Sequence, residues 1–314
     1  MPAGAAGSGE PAPDVRTGRA NVGAVELAYD IFGTSGRPLI LIMGIGAQRI
    51  FWSDALCAAF VAAGFHVARF DNRDVGESSK LDHAGVPRAA RVMFQRFLLG
   101  SIPVAPYTLS DMAMDVANLI PALGWERAHI VGVSLGGMVA QHLAAEHPHR
   151  VISMTSIMST PGGRRYIPEP RALAALFLPR PADAAAAGEQ VAKMFAVLAG
   201  PVFPRDPAEL RAVGEAAYNR GMSPRGFLRQ FAAIMATPDR RPALRSTHVP
   251  TLVIHGTRDP MFPLRAGRDL ASMMPDATWL PLAGMGHDMP AQLWPTLVAA
   301  IARHAKRAES RARV

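Results

Sequence analysis

The sequence predicts an α/β fold, built on a mostly parallel sheet that helices cover on both faces. Apolar, β-branched runs that are typical of buried strands recur along the chain, and helical patterns separate them. Strands that alternate with helices form parallel sheets, because each helix carries the chain back to the same end of the sheet. The predicted strands lie at 37–44, 65–71, 128–134, 150–159, 250–256 and 277–284. The predicted helices lie at 53–63, 111–123, 135–147, 264–274 and 290–307.

Three further segments do not follow this alternation of strand and helix. Residues 22–33 alternate with period two, which predicts one or two antiparallel strands at the edge of the sheet. Residues 79–107 mix apolar side chains with arginines, and residues 160–248 are rich in alanine and proline without a parallel strand. Ligands of open parallel sheets bind beyond the carboxyl ends of the strands. We therefore predict that 160–248 is a helical cap that covers this site.

The length and composition predict one globular core with this inserted cap. The chain has 314 residues, of which 49% are hydrophobic and 18% are charged, so it can bury a full core. Its first residues are small, polar and rich in proline, which is typical of a flexible leader. The predicted divisions are a leader at 1–21, a core at 22–159 and 249–308, a cap at 160–248 and a basic tail at 309–314.

Composition also argues against several classes of protein. No stretch approaches the roughly 18 to 20 apolar residues of a membrane-spanning helix, and no secretory signal is recognisable, so we expect a cytoplasmic protein without stable membrane insertion. The net charge of +8 is scattered along the chain and does not interleave with aromatic residues, which argues against nucleic acid as a partner. The lone Cys57 cannot form an internal disulfide bond.

The segment "GVSLG" at 132–136 indicates a nucleophilic serine. It fits the pattern G-x-S-x-G, in which the serine lies on a sharp turn between a strand and a helix. The turn forces the serine into a strained backbone conformation, so small residues are needed two positions before and after it. Gly132 and Gly136 meet that need, and a predicted strand and helix flank Ser134.

A serine hydroxyl needs a base within hydrogen-bonding reach and a third group that orients the base. His287 is the best candidate for the base because it follows the last predicted strand, whereas His255 and His142 are better explained by packing. Asp259 leaves the carboxyl end of another strand and is the predicted orienting acid. Asp288 is the rival acid, although a side chain rarely turns back onto the imidazole of its own neighbour.

Attack on an ester creates an oxyanion, which backbone N–H groups stabilise. The expected donors are Leu135, which follows the nucleophile, and Ile45, in the loop after the strand "LILIM". Met43, Gly44 and Trp52 are then the candidates for the substrate pocket, and packing in the core is an equally good explanation for Met43 and Trp52.

Five segments together resemble α/β-hydrolase-fold serine carboxylesterases and lipases. They are "LIMGIGAQRIFW", "RFDNRDVGES", "GVSLGGMVAQ", "TLVIHGTRDP" and "GMGHDMP", and they are most similar to the mycobacterial lipase/esterase group and to aclacinomycin methylesterase. The resemblance spans about residues 22–305 and implies an eight-stranded sheet, a helical cap and ester hydrolysis without a cofactor or metal. Asp74 stands where this superfamily often has glycine, and the run from Asp71 to Ser78 is expected to be a structural turn.

The predicted function is hydrolysis of small to medium hydrophobic carboxylic esters through an acyl-enzyme. An alternative keeps the same three side chains but transfers the acyl group to peroxide or an alcohol, as in a cofactor-free perhydrolase, a haloperoxidase-like enzyme or an acyltransferase. A more remote alternative is a non-catalytic binding protein on the same scaffold. The apolar residues 92–99 either pack over the sheet or form a lid that meets aggregated lipid substrate.

Overall fold

The computed structural model describes residues 14–163 and 165–311. Within these ranges the chain forms one sheet of eight strands. The strands are β1 (Val15–Asn21), β2 (Glu26–Phe32), β3 (Arg37–Ile42), β4 (Phe65–Phe70), β5 (Ala128–Val133), β6 (Val151–Ile157), β7 (Thr251–Gly256) and β8 (Ala277–Leu282). Their order across the sheet is β1-β2-β4-β3-β5-β6-β7-β8. Strand β2 is antiparallel to both β1 and β4, and all other neighbouring pairs are parallel. This arrangement confirms the predicted fold class.

Strand β1 was not expected, because the predicted leader extended to residue 21. The strand pairs with β2 along its whole length, from Val15 opposite Phe32 to Asn21 opposite Glu26. Its side chains are mostly exposed, so backbone hydrogen bonds rather than apolar burial hold it at the sheet edge. The leader prediction therefore extends too far at its C-terminal end, and residues 1–13 lie outside the described residues.

Helices cover both faces of the sheet. The helices that pack on the sheet are α1 (Asp54–Ala62), α3 (Leu109–Ala122), α4 (Leu135–Glu146), α10 (Leu264–Met273) and α11 (Trp294–Arg311). A short helix, α2 (Ala89–Met93), precedes α3 in the chain. Side chains of α3, α4 and α10 share one core with Ile40 and Ile130, whereas α1 and α11 share a second core with Leu39 and Val131. Alternate residues of β3 and β5 thus serve opposite faces, as the period of a strand requires. Within the described ranges, no helix combines the length and apolar character needed to cross a bilayer.

Helix α3 begins at a capping box. The Thr108 hydroxyl accepts a hydrogen bond from the Asp111 amide at 3.2 Å, and the Asp111 carboxylate accepts one from the Thr108 amide at 2.7 Å. Each side chain satisfies a backbone N–H that the first turn of the helix leaves free.

In the described part of the segment predicted as a cap, five helices lie between β6 and β7. They are α5 (Pro170–Leu176), α6 (Ala184–Leu198), α7 (Pro207–Asn219), α8 (Pro224–Ala236) and α9 (Arg241–Arg245).

The apolar segment that precedes α3 forms α2 and a π-helical turn, Phe94–Leu98. Its Val92 is buried beside Phe231 of α8, whereas Phe94, Phe97, Leu98 and Leu99 are exposed. Residues 309–311 of the predicted tail form the last turn of α11, and 312–314 lie outside the described residues.

A buried ion pair attaches α8 to the turn after β4. The Arg229 guanidinium donates to both carboxylate oxygens of Asp74 at 2.7 and 2.8 Å, and both side chains are fully buried. Asp74 has a φ of 70°, in the left-handed region where glycine is favoured. Aspartate at this position, where the superfamily often has glycine, therefore provides the carboxylate that binds Arg229 of the cap.

Candidate active site

Ser134 lies on a strained turn between β5 and α4. Its φ is 54° and its ψ is −117°, so a non-glycine residue occupies a sparsely allowed backbone region. A Cβ atom at Gly132 would stand 2.1 Å from the Gly136 carbonyl oxygen, and one at Gly136 would stand 2.2 Å from the Ile42 carbonyl oxygen. Both glycines are therefore required by close backbone approaches.

Ser134, His287 and Asp259 form an unbroken chain of hydrogen bonds. The Ser134 Oγ lies 3.0 Å from His287 Nε2. On the other side of the ring, His287 Nδ1 lies 2.9 Å from Asp259 Oδ2 and 3.1 Å from Oδ1. The Asp259 carboxylate also accepts the backbone N–H groups of Met261 and Phe262 at 2.8 and 2.9 Å. These contacts orient the carboxylate toward the imidazole.

The topology explains how residues so distant in sequence meet. Ser134, Asp259 and His287 follow β5, β7 and β8, whose carboxyl ends lie at the same edge of the parallel sheet. The His287 amide donates to the Leu198 carbonyl of α6 at 2.7 Å, so the cap helps to fix the histidine loop. The three predicted side chains are thus brought together.

The rival acid Asp288 does not contact the imidazole of His287. Its side chain is buried, and neither of its carboxylate oxygens has a hydrogen-bond partner among the described residues. The nearest cation is the Arg205 guanidinium of the cap, at 3.7 Å. Burial raises the pKa of Asp288 to about 6, although Arg205 opposes this shift.

The other candidate histidines occupy structural positions. His255 is fully buried, and its Nε2 lies 2.9 Å from the Phe262 carbonyl oxygen, which braces the loop that carries Asp259. Burial lowers the pKa of His255, so the ring is neutral in this environment. His142 lies on α4, with its Nδ1 2.6 Å from Glu146. Neither side chain joins the hydrogen bonds of Ser134.

The loop after β3 lies against the serine. A Cβ atom added to Gly44 would stand 3.5 Å from Ser134 Cβ and 3.9 Å from its Oγ. Ile45 and Leu135, the expected oxyanion donors, both line the cavity that contains Ser134. Two side chains secure the loop from outside, because Gln230 of α8 accepts the Gly46 amide at 2.8 Å and Asn72 donates to the Met43 carbonyl at 3.1 Å.

Sequence reasoning did not identify Gln230 or Asn72. Gln230 also donates to the Arg73 carbonyl at 2.9 Å, so one buried amide joins the cap to two core loops. The available signal was weak: Gln230 follows Arg229 on the otherwise apolar face of α8, where a polar residue needs a buried partner.

The cavity beside Ser134 has a volume of about 600 Å³ and a mostly apolar wall. Core and cap both contribute, and the apolar lining includes Met138, Leu198, Phe231, Met261 and Phe262. Of the predicted pocket residues, Met43 and Gly44 line this cavity. Trp52 does not, because it is 1% exposed and packs in the core with α1.

Comparison with known proteins agrees with the fold and extends it to a family. The model of the alpha/beta hydrolase fold family matches residues 37–291. Rhodomycin D methylesterase of Streptomyces peucetius is 27% identical over 297 residues, which cover 86% of this chain and 91% of that protein. A Mycobacterium tuberculosis protein named as a non-heme bromoperoxidase is 26% identical, with 84% of this chain and 91% of that protein covered.

A solved structure of low sequence identity has the same fold. The enol-lactonase from Burkholderia xenovorans has a TM-score of 0.69 at 23% identity, and the match covers 92% of this chain and 100% of that chain. The family model spans most of the sequence, and the eight-stranded, mostly parallel sheet with helices on both faces agrees with it. The chain therefore belongs to the alpha/beta hydrolase fold family, and its relatives include esterases.

Proposed function

We propose that this chain is a serine hydrolase that cleaves small to medium hydrophobic carboxylic esters through an acyl-enzyme. The observation that carries the proposal is the hydrogen-bonded chain from Ser134 through His287 to Asp259, at the wall of an apolar cavity. Similarity to a methylesterase along most of the chain supports the ester as the bond that is cleaved.

In the acylation half of the reaction, Ser134 Oγ adds to the ester carbonyl carbon as its proton passes to His287 Nε2. The resulting imidazolium is stabilised by Asp259, which lies 2.9 Å from Nδ1. The N–H groups of Leu135 and Ile45 stabilise the oxyanion. When the tetrahedral intermediate collapses, the ester C–O bond breaks and His287 returns the proton to the departing alcohol.

In the deacylation half, water replaces the alcohol. His287 takes a proton from the water as its oxygen adds to the acyl carbon, and collapse breaks the bond to Ser134 Oγ. The proton returns to Oγ, the carboxylic acid is released and the serine is regenerated. Each proton and electron pair in this cycle is carried by the ester, the water and the three side chains.

Replacement of the nucleophile tests this proposal. Ser134→Ala is expected to lower p-nitrophenyl ester turnover by at least about a thousandfold, because the acyl-enzyme cannot form. Ser310→Ala removes the hydroxyl of an exposed serine on α11 and serves as the matched control. A fluorophosphonate probe should label the wild type and the control but not Ser134→Ala. Near wild-type turnover by Ser134→Ala would refute the proposal.

The apolar cavity supports short to medium acyl chains as substrates, and an acyl-chain-length series on purified protein tests this preference. A lipase-like action is a second candidate, because one segment both lines the cavity and exposes apolar side chains. Its Arg96 and Phe97 line the cavity, and its exposed apolar side chains are Phe94, Phe97, Leu98 and Leu99. Activity that rises steeply only above the solubility limit of the ester would favour the lipase-like candidate.

The acyl acceptor is a separate question. Similarity to a protein named as a bromoperoxidase supports a test of peroxide as an acceptor, which would make a peracid from the same acyl-enzyme. Relative rates with water, peroxide and alcohols, measured at the same acyl-donor concentration, distinguish a hydrolase from a perhydrolase and an acyltransferase.

A further inference from the structure

One buried arginine of the cavity wall differs from all other buried arginines of the described residues. Four buried arginines form ion pairs with buried aspartates, namely Arg49, Arg69, Arg73 and Arg229. Arg240 is only 6% exposed, yet in the described part of the chain no carboxylate lies within 4.0 Å of its guanidinium. Asp239, its neighbour in sequence, pairs with Arg241 instead.

The hydrogen bonds of Arg240 orient the guanidinium but do not neutralise it. Its Nε donates to the Gln141 side-chain oxygen at 3.1 Å, and its Nη2 donates to the Thr160 carbonyl at 2.7 Å. Both acceptors are uncharged. Burial lowers the pKa of Arg240 to about 10, so the side chain keeps its positive charge at neutral pH.

The cavity wall beside Arg240 includes two glycines. Arg240, Thr160, Gly162 and Gly163 all line the cavity that contains Ser134. A Cβ atom at Gly162 would stand 3.6 Å from Arg240 Cζ and 3.7 Å from Nη1, in contact with the guanidinium. Gly162 has a φ of 94°, so a side chain at this position would be strained as well as in contact with the guanidinium.

We propose that Arg240 forms an anion-binding subsite of the cavity and that the natural ester carries a carboxylate which binds there. An unpaired buried cation is costly, and a ligand anion supplies the missing countercharge through charge-assisted hydrogen bonds. The inference rests on the proposed function, because the same cavity must bind the ester at Ser134. The substrate class is then a hydrophobic ester whose acyl part ends in a carboxylate, with the apolar wall around the hydrocarbon between the two groups.

The competing explanation is that Arg240 only fastens the cap to the core through Gln141 and Thr160. A fastening role would affect every ester to the same degree, whereas a subsite changes the preference between esters. The decisive quantity is therefore the ratio of kcat/KM for an anionic ester to that for an uncharged ester of the same length.

The experiment uses methyl hemiesters of linear dicarboxylic acids and methyl esters of the matching monocarboxylic acids, over short, medium and long chains. The wild type should prefer the hemiester at one length by at least about tenfold, as expected for a hydrogen-bonded charge pair. Arg240→Gln should reduce this ratio by about ten- to a hundredfold, and Arg240→Lys should keep part of it. Arg225→Gln removes the same charge from an exposed position of α8 and should leave the ratio within about twofold.

Binding to Ser134→Ala separates this inference from the proposed function and does not require Arg240 variants to fold. The intact hemiester should bind this variant at least about tenfold more tightly than the uncharged ester. Equal binding of the two esters, or a wild-type preference for the uncharged ester at every length, would overturn the subsite. A hemiester preference that survives in Arg240→Gln would also overturn it. Retained turnover by Ser134→Ala would instead overturn the proposed function.

Discussion

Replacement of Asp288 by asparagine should stabilise the protein, and the gain should depend on pH. Burial raises the pKa of this carboxyl from 3.8 to about 6, with the Arg205 guanidinium at 3.7 Å opposing the shift. Between these two pH values the folded chain binds more protons than the unfolded chain, so stability falls as pH rises. Above about pH 6 the carboxylate is charged in both the folded and the unfolded state, so the full free-energy cost of burying the charge lowers the stability of the protein.

The interval between the two pKa values gives the size of the effect. At about 1.4 kcal/mol per pH unit, the charged Asp288 costs the folded state about 3 kcal/mol at neutral pH. Asparagine has nearly the same shape without the charge, so Asp288→Asn should gain up to about 3 kcal/mol at about pH 8 and nothing at about pH 4. Arg205 tolerates the loss because its side chain is 22% exposed and reaches water.

Urea denaturation at the two pH values measures this gain. Glu126→Gln, at an exposed position, is the matched control and should change stability by less than about 0.5 kcal/mol at either pH. A gain of the same size at both pH values, or destabilisation at about pH 8, would refute the reasoning, since either result means that burial does not penalise the charged Asp288.

Three further predictions concern the turn, the cap and a helix terminus. Gly136→Ala should cost about 1–3 kcal/mol and lower ester turnover, because its Cβ would stand 2.2 Å from the Ile42 carbonyl oxygen; unchanged melting and turnover would contradict this. Arg229→Met should cost about 3–5 kcal/mol by leaving Asp74 buried and unpaired. Adding Asp74→Gly should restore most of that loss, since glycine suits a φ of 70°, and a double variant no better than the single one would refute the explanation. Thr108→Ala should lower the free energy of unfolding by about 1 kcal/mol through loss of the capping box, which an unchanged urea midpoint would exclude.

Most of the sheet could be predicted from the sequence because its buried strands carry continuous apolar runs. The six predicted parallel strands each overlap an observed strand, from β3 to β8, and the alternating segment 22–33 contains β2. Strand β1 could not be recognised, because an edge strand held by backbone hydrogen bonds needs no apolar pattern. Its polar side chains are indistinguishable in sequence from those of a flexible leader.

The hydrogen-bonded residues of the candidate site were accessible to sequence reasoning because each follows the end of a predicted strand. The G-x-S-x-G pattern indicated Ser134, and the rule that parallel strands end at one edge then placed Asp259 and His287 beside it. The cavity wall was harder, because it depends on how the cap packs. Trp52 suits a core as well as a pocket, and the isolated Arg240 carries no periodic signal that indicates its burial.

The buried contacts of α8 also limit how this protein can be redesigned. Arg229 pairs with the turn after β4, and the next residue, Gln230, bonds the loop proposed to hold the oxyanion. A cap without Arg229 and Gln230 would therefore leave Asp74 without its partner and the Gly46 amide without its acceptor. The cap is in this sense not an interchangeable module. Helix α8 and the two core loops form one structural unit, and a chimera should exchange them together.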